Sequence, residues 1–226
     1  MAAERGGARL RGLYAITPEE GDSERLCAKV RAAIAGGARL VQYRAKSLPY
    51  EAQREQARGL ASICRDAGVP LIVNDSIELA LEIGADGVHL GREDGDAREA
   101  RRRLGERILG ISCYDDARRA RDAAAAGADY VGIGSVFASS TKPGAVRAPL
   151  ALLGEAKRLS GLPVAAIGGI TPANAREAID AGADMLAVIS ALFDAEDVRS
   201  ASREIARCFE SNPGETDDVR TQPRAL

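Results

Sequence analysis

The stretch VNDSIELALEIGADGVHLGREDG, residues 73–95, decides the fold because it contains one helix between two strands, with an acidic residue after each strand. An apolar run ends at Asn74 and Asp75, a short helical pattern follows, and the strand 87–90 leads to Asp94. The carboxyl ends of parallel strands lie at one rim of an α/β protein, so we expect the two carboxylates to be neighbours there. Two hard oxygen ligands suit Mg²⁺ carrying a substrate phosphate. The alternative is that Asp75 only caps the next helix and Asp94 is a solvated loop charge.

The rest of the chain repeats this alternation of strand and helix. Apolar runs predict eight strands, at 13–16, 40–44, 70–74, 87–90, 108–112, 130–134, 163–167 and 185–189. Helices are predicted at 23–35, 49–67, 76–83, 96–104, 116–126, 149–159, from Thr171-Pro172 onward, and at 195–209. Eight such units with right-handed crossovers predict a single-domain α/β protein, a (β/α)8 TIM barrel. An open doubly wound sheet normally has about five or six strands and is the alternative.

A short repeat supports this assignment. Gly-Ala-Asp begins at Gly84, Gly127 and Gly182, each time between a helix and an even-numbered strand, and Gly37-Ala38-Arg39 stands in the same place before strand two. We expect the glycine to be the left-handed residue that ends each helix.

Composition narrows the function classes. The 226 residues have a formal net charge of -2, so neither nucleic acid nor an anionic membrane is an expected partner. Four cysteines without paired spacing indicate reduced thiols in a cytoplasmic protein.

We expect a flexible arm over 1–10, the barrel over 11–210 and a disordered tail over 211–226. The single histidine, His89, lies in an apolar strand, which favours a packed, hydrogen-bonded role over a catalytic triad.

The end of strand two predicts an anion site. Alternation along the strand puts Gln42 and Arg44 on the face that points into the barrel mouth, and Lys46 follows just above. Two cations and an amide suit an anionic ligand. The alternative is an interior ion pair with Asp75 or Asp94.

A second anion site is predicted across the mouth. Gly169 follows strand seven, and Ile189 and Ser190 follow strand eight, where barrels commonly bind phosphate. The long connection 135–146 carries hydroxyl groups and Lys142, and we expect a lid that closes over a phosphate, although a solvated turn has the same composition. No acid–base or nucleophilic dyad is evident, so the chemistry is expected to rest on binding phosphates and stabilising a leaving anion.

Four segments together resemble the thiamine phosphate synthase family: VQYRAK (41–46), residues 72–95, ADYVGIGSVFASSTKPGA (128–145) and residues 165–192. The resemblance implies a transferase that joins a pyrimidine diphosphate to a thiazole phosphate with Mg²⁺. It implies that Asp75 and Asp94 bind Mg²⁺. It implies that Gln42, Arg44, Lys46, Asn74 and Lys142 hold the pyrimidine diphosphate, that Ser112 lies near the pyrimidine, and that Ser139, Thr141, Gly169, Ile189 and Ser190 hold the thiazole phosphate. It implies that Lys142, Arg44 and Ser112 are the catalytic residues.

The chain departs from the family pattern in two places. Ser139 is often Thr in the family, and the hydroxyl is kept. Cys113-Tyr114-Asp115 replaces a segment that is usually small or carries histidine, which leaves the pyrimidine contacts there open. A thiazole tautomerase on the same barrel and a non-catalytic sensor of phosphate ligands are the alternative functions. A homo-oligomer also stays open.

Overall fold

The computed structural model describes residues 10–138 and 146–210. Within these ranges eight parallel strands close a barrel in chain order, each hydrogen-bonded to the next and β8 to β1. The strands are β1 Gly12–Ile16, β2 Ala38–Tyr43, β3 Leu71–Asn74, β4 Gly87–Leu90, β5 Ile108–Tyr114, β6 Tyr130–Gly134, β7 Val164–Ile167 and β8 Met185–Val188. The predicted TIM barrel is therefore confirmed.

Helices cover the outside of the barrel. They are α1 Ser23–Ala35, α2 Tyr50–Ala67, α3 Ile77–Ile83, α4 Ala97–Leu104, α5 Arg118–Ala125, α6 Ala151–Ser160, α7 Ala175–Asp180, α8 Ser190–Phe193 and α9 Val198–Arg207. None of the helices in the described ranges is long and apolar enough to cross a membrane.

Two predicted helices differ from the structure. The predicted start at Thr171-Pro172 is wrong, because α7 begins at Ala175. The Asn174 side chain closes a turn before it, accepting from the Thr171 N–H at 2.8 Å and donating to the Gly169 carbonyl at 2.9 Å. The predicted closing helix 195–209 is preceded by the short α8, which sequence reasoning missed and which starts directly after β8.

Strand alternation divides the buried residues into two layers. Val41 and Tyr43 of β2 face the helices, and the Tyr43 hydroxyl donates to Gln56 of α2 at 3.0 Å. The interior layer contains Leu10, Tyr14, Ile16, Leu40, Ile72, Tyr130, Ala165, Met185 and Ala187. Leu10, which we had expected in the flexible arm, is only 2% exposed. The interior below the mouth is thus filled with side chains, as in other barrels of this kind.

The Gly-Ala-Asp repeat ties β4, β6 and β8 each to the odd strand before it. Asp86 accepts from the Leu71 N–H at 2.8 Å, Asp129 from Leu109 at 2.8 Å and Asp184 from Val164 at 3.0 Å. The prediction that a glycine in the left-handed conformation ends the helix is confirmed at Gly84. At Gly37, Gly127 and Gly182 the helix ends one residue earlier and the glycine has φ of 112°, 90° and 113°. The repeat therefore serves strand entry through its aspartate as much as helix ending through its glycine.

Candidate functional site

A cavity of about 890 Å³ lies at the mouth of the barrel, where the strands end. Nine of the predicted site residues line it: Gln42, Arg44, Lys46, Asn74, Asp94, Ser112, Gly169, Ile189 and Ser190. Asp75 lies beside them, since its carboxylate is 3.0 Å from the Lys46 ammonium. Ser139, Thr141 and Lys142 lie outside the described residues, so the lid stays a prediction.

Asp75 does not cap the following helix. The Ser76 hydroxyl is the cap of α3, accepting from the Leu79 N–H at 3.1 Å. Asp75 itself has φ of 65°, in the left-handed region, and its N–H donates to the His89 carbonyl at 2.9 Å. Left-handed backbone at a residue other than glycine is uncommon and occurs often at functional sites. The capping alternative for Asp75 is therefore wrong.

Asp94 is held close to Asp75. One carboxylate oxygen of Asp94 accepts from the Gly91 N–H at 2.7 Å, so the side chain folds back over its own loop. Partial burial raises the pKa of Asp94 above its usual value, and the neighbouring Asp75 carboxyl raises it further. Two carboxylates that disfavour each other's charge suit a divalent cation between them.

The donor set fits Mg²⁺ better than a metal enclosed by protein. No cluster of three or more His, Cys, Asp or Glu side chains with metal-binding geometry occurs among residues 10–138 and 146–210. Mg²⁺ is usually bound through one or two carboxylates, with water and substrate phosphates completing its shell. Asp75 and Asp94 are the residues that would hold it.

The loop after β1 holds the backbone that carries the two cations at the end of β2. The Arg44 N–H donates to the Thr17 hydroxyl at 2.9 Å, and that hydroxyl donates to the Arg44 carbonyl at 3.3 Å. Glu19 accepts from the Lys46 N–H at 3.0 Å. Lys46 does pair with Asp75, but at the open mouth and not in the interior, since the two side chains are 54% and 29% exposed. Sequence reasoning missed Thr17 and Glu19. Thr17 contacts the backbone of Arg44, and Glu19 contacts the backbone of Lys46 and Ser47 as well as the Ser47 hydroxyl.

The loop after β7 needs glycine at position 169 because another backbone segment lies against it. Gly169 has φ of 63°, and a Cβ there would lie 2.1 Å from the Ala138 carbonyl oxygen. A side chain at this position would therefore collide with backbone that leads into the connection after β6. Close approach of two backbone segments is what Gly169 provides, at a position that lines the cavity.

The segment that departs from the family pattern takes part in the mouth. Cys113 is buried on the helix side, while Tyr114 and Asp115 line the cavity. Tyr114 has φ of 57°, its hydroxyl accepts from the Arg92 N–H at 3.0 Å, and its ring lies 5.1 Å from the Arg92 guanidinium. Tyr114 thus braces the loop that carries Asp94.

His89 has the packed, hydrogen-bonded role that the sequence predicts. It is 5% exposed, its Nδ1 lies 2.9 Å from the Tyr130 hydroxyl, and its Nε2 lies 2.8 Å from the Ser112 hydroxyl. Burial lowers the pKa of His89 to about 4, so the imidazole is neutral at neutral pH. The sequence contained no signal for the two partners.

Comparison with known proteins gives a consistent result. The family model described as thiamine monophosphate synthase matches residues 13–192. Thiamine-phosphate synthases of Thiobacillus denitrificans and Aromatoleum aromaticum are both 57% identical to the chain, over 90% and 84% of its length and 97% and 91% of theirs. The structure of thiamine phosphate pyrophosphorylase from Pyrococcus furiosus is 37% identical, with a TM-score of 0.80 over 88% of this chain and 96% of that one. A tryptophan synthase structure from Mycobacterium tuberculosis, 16% identical with a TM-score of 0.70 over 94% and 100% of the two chains, shares the fold alone.

Proposed function

The chain belongs to the thiamine monophosphate synthase family, and we propose that the two sides of its barrel mouth bind the family's two substrates. The enzyme is a transferase. It moves the 4-amino-2-methyl-5-pyrimidinylmethyl group from its diphosphate to 4-methyl-5-(2-hydroxyethyl)thiazole phosphate, and the products are thiamine phosphate and diphosphate. We propose which residues bind each substrate and which residues would hold Mg²⁺.

The diphosphate occupies the side above β2, β3 and β4. Arg44, Lys46 and Asn74 line that side of the cavity, and Asp75 and Asp94 stand next to it. Mg²⁺ held by these carboxylates would neutralise charge that builds up on the departing diphosphate. Lys46 now pairs with Asp75, and with Mg²⁺ as the counter-ion of Asp75 its ammonium would be available to the phosphate oxygens. The paired carboxylates beside two cations are the single observation that carries this assignment.

The thiazole phosphate occupies the opposite side, above β7 and β8. Gly169, Ile189 and Ser190 line the cavity there. Backbone amides after these strands supply donors that need no reorganisation during the reaction. Thr141 and Ser139 of the connection after β6 are proposed to complete this site from above.

The arrangement favours a dissociative substitution. The pyrimidine amino group stabilises a cation at the exocyclic methylene, so the bond to diphosphate breaks before the thiazole nitrogen attacks. Arg44 and Lys142 stabilise the departing anion, and Ser112 holds the pyrimidine so that its methylene faces the thiazole. Positioning and charge neutralisation supply most of the rate enhancement in such a path.

The test mixes the purified protein with both substrates and Mg²⁺ and follows thiamine phosphate by chromatography. Controls omit one substrate or replace Mg²⁺ with a chelator. Product that forms only when all three are present supports the proposal. Binding of thiazole phosphate without any condensation would favour the sensor, and isomerisation of the thiazole alone would favour the tautomerase. Full turnover in chelator would contradict the metal assignment.

A further inference from the structure

A continuous chain of hydrogen bonds crosses the barrel interior beneath the cavity. Gln42 donates from its amide nitrogen to the Tyr14 hydroxyl at 2.5 Å, and the Tyr14 and Tyr130 hydroxyls are 2.7 Å apart. The Tyr130 hydroxyl lies 2.9 Å from His89 Nδ1, and His89 Nε2 lies 2.8 Å from the Ser112 hydroxyl. Both ends of the chain line the cavity, and the two tyrosines between them are 0% exposed.

The direction of every bond in this chain follows from its first donor. An amide nitrogen only donates, so the Tyr14 oxygen accepts from Gln42. The Tyr14 proton is buried, and Tyr130 is its other partner in the described structure, so Tyr14 donates to Tyr130. Tyr130 must then give its own proton to His89 Nδ1. The reverse direction would leave the buried Tyr14 proton without an acceptor, which is costly in a protein interior.

The tautomer of His89 is a consequence of this order. An imidazole that accepts at Nδ1 and is neutral carries its proton on Nε2, and it donates that proton to the Ser112 oxygen. Burial raises the pKa of both tyrosines and lowers that of His89, so all three rings keep their neutral forms. The Ser112 oxygen therefore accepts a hydrogen bond from His89, which lies beneath it. The Ser112 hydroxyl proton can then point into the cavity that Ser112 lines.

We propose that Tyr14, Tyr130 and His89 are positioning residues that hold His89 as the Nε2–H tautomer and thereby present the Ser112 hydroxyl to the cavity as a hydrogen-bond donor. The ligand that it meets is an uncharged acceptor, such as a ring nitrogen of the aminopyrimidine. That identification rests on the proposed function, whereas the tautomer does not. A chain of bonds that all run in one direction also strengthens its last donor, because each bond polarises the next.

The first test reads the tautomer directly. His89 is the single histidine of the sequence, so protein labelled with ¹⁵N-histidine gives one imidazole in a long-range ¹H–¹⁵N correlation spectrum at neutral pH. We expect a protonated Nε2 and an unprotonated Nδ1 without any substrate present. A protonated Nδ1 overturns the proposal, and does so whether or not the enzyme makes thiamine phosphate.

The second test reads the consequence for binding. Tyr14→Phe removes the donor to Tyr130 and should bring the Nδ1–H tautomer into the spectrum. It should also raise the KM for the pyrimidine diphosphate about tenfold, the usual value of one hydrogen bond, and leave the KM for the thiazole phosphate unchanged. Ser112→Ala should have a similar effect, and the double variant should be no worse than Ser112→Ala alone. Effects that multiply in the double variant would mean that Tyr14 acts through Gln42 or through packing and not through Ser112, and effects that fall equally on both substrates would mean that it only packs; either result overturns the proposal. If Tyr14→Phe does not fold, the tautomer of the unaltered protein still decides.

Discussion

Replacing Gly169 with alanine should disable the site while leaving the barrel intact. The left-handed backbone at this position, with φ of 63°, costs a residue with a Cβ about 1–2 kcal/mol. The new Cβ would also lie 2.1 Å from the Ala138 oxygen, whereas ordinary contact begins at 3.4 Å. The backbone at Ala138 and Gly169 must therefore separate by more than 1 Å, and both residues line the cavity.

Gly68 offers a matched control for the backbone strain. It ends α2 with φ of 64°, and nothing lies within 4 Å of the position that a Cβ would take. Gly68→Ala therefore has the same strain without the collision, and it lies before β3, at the opposite end of the barrel from the mouth. We expect it to lose about 1–2 kcal/mol of unfolding free energy, or roughly 2–8 °C in Tm, with unchanged kcat and KM.

Gly169→Ala should show the same loss of stability, with a further loss from the collision, and a large loss of activity. Misplacement of about 1 Å near reacting groups costs about 10²-fold in rate. The KM for the thiazole phosphate should rise more than that for the pyrimidine diphosphate. Thermal unfolding and steady-state kinetics with each substrate varied measure both effects. The reasoning fails if Gly169→Ala is as active as Gly68→Ala, or if both KM values rise equally.

Three further predictions concern the metal, the lid and the repeat. Asp75→Asn and Asp94→Asn should each lower kcat about 10²–10³-fold with an unchanged circular dichroism spectrum, and a chelator should have the same effect on the unaltered enzyme; wild-type activity at limiting Mg²⁺ would refute the ligand assignment. Lys142→Ala should lower kcat about 10²–10³-fold and Lys142→Arg should recover part of it, while a silent Lys142→Ala in steady-state kinetics would exclude the lid role. Asp86→Ala loses the 2.8 Å bond to the Leu71 N–H and should cost about 1.5–3 kcal/mol in urea unfolding, whereas Asp86→Asn should retain most of that; equal losses would mean that the bond contributes little.

The barrel and most of its rim could be predicted because their signals are local. The spacing of apolar residues distinguishes a strand from a helix within a few residues of sequence. Glycine often marks the end of a helix. Once eight alternating units are counted, barrel closure puts every strand end at one mouth. Asp94 and Ser190 could therefore be assigned to one cavity from their positions after strands, and Gln42 from the alternation of side chains along β2.

Other features were decided by contacts between residues far apart in the chain. Tyr14 and Tyr130 are 116 positions apart, and nothing near either of them indicates that their hydroxyls meet. The aspartate of the repeat was visible as a pattern, but its bond to an earlier strand depends on the register between strands. The collision at Gly169 likewise depends on how closely two loops approach.

The physical reason is the range of the forces involved. Backbone propensity and hydrophobic periodicity act over one or two turns, so the sequence by itself determined the elements, their order and the rim. Hydrogen-bond direction, the tautomer of His89 and the pKa of Asp94 depend on angstrom-scale distances to groups on other strands. Only the closed barrel brings those groups together, so only the tertiary structure decided them.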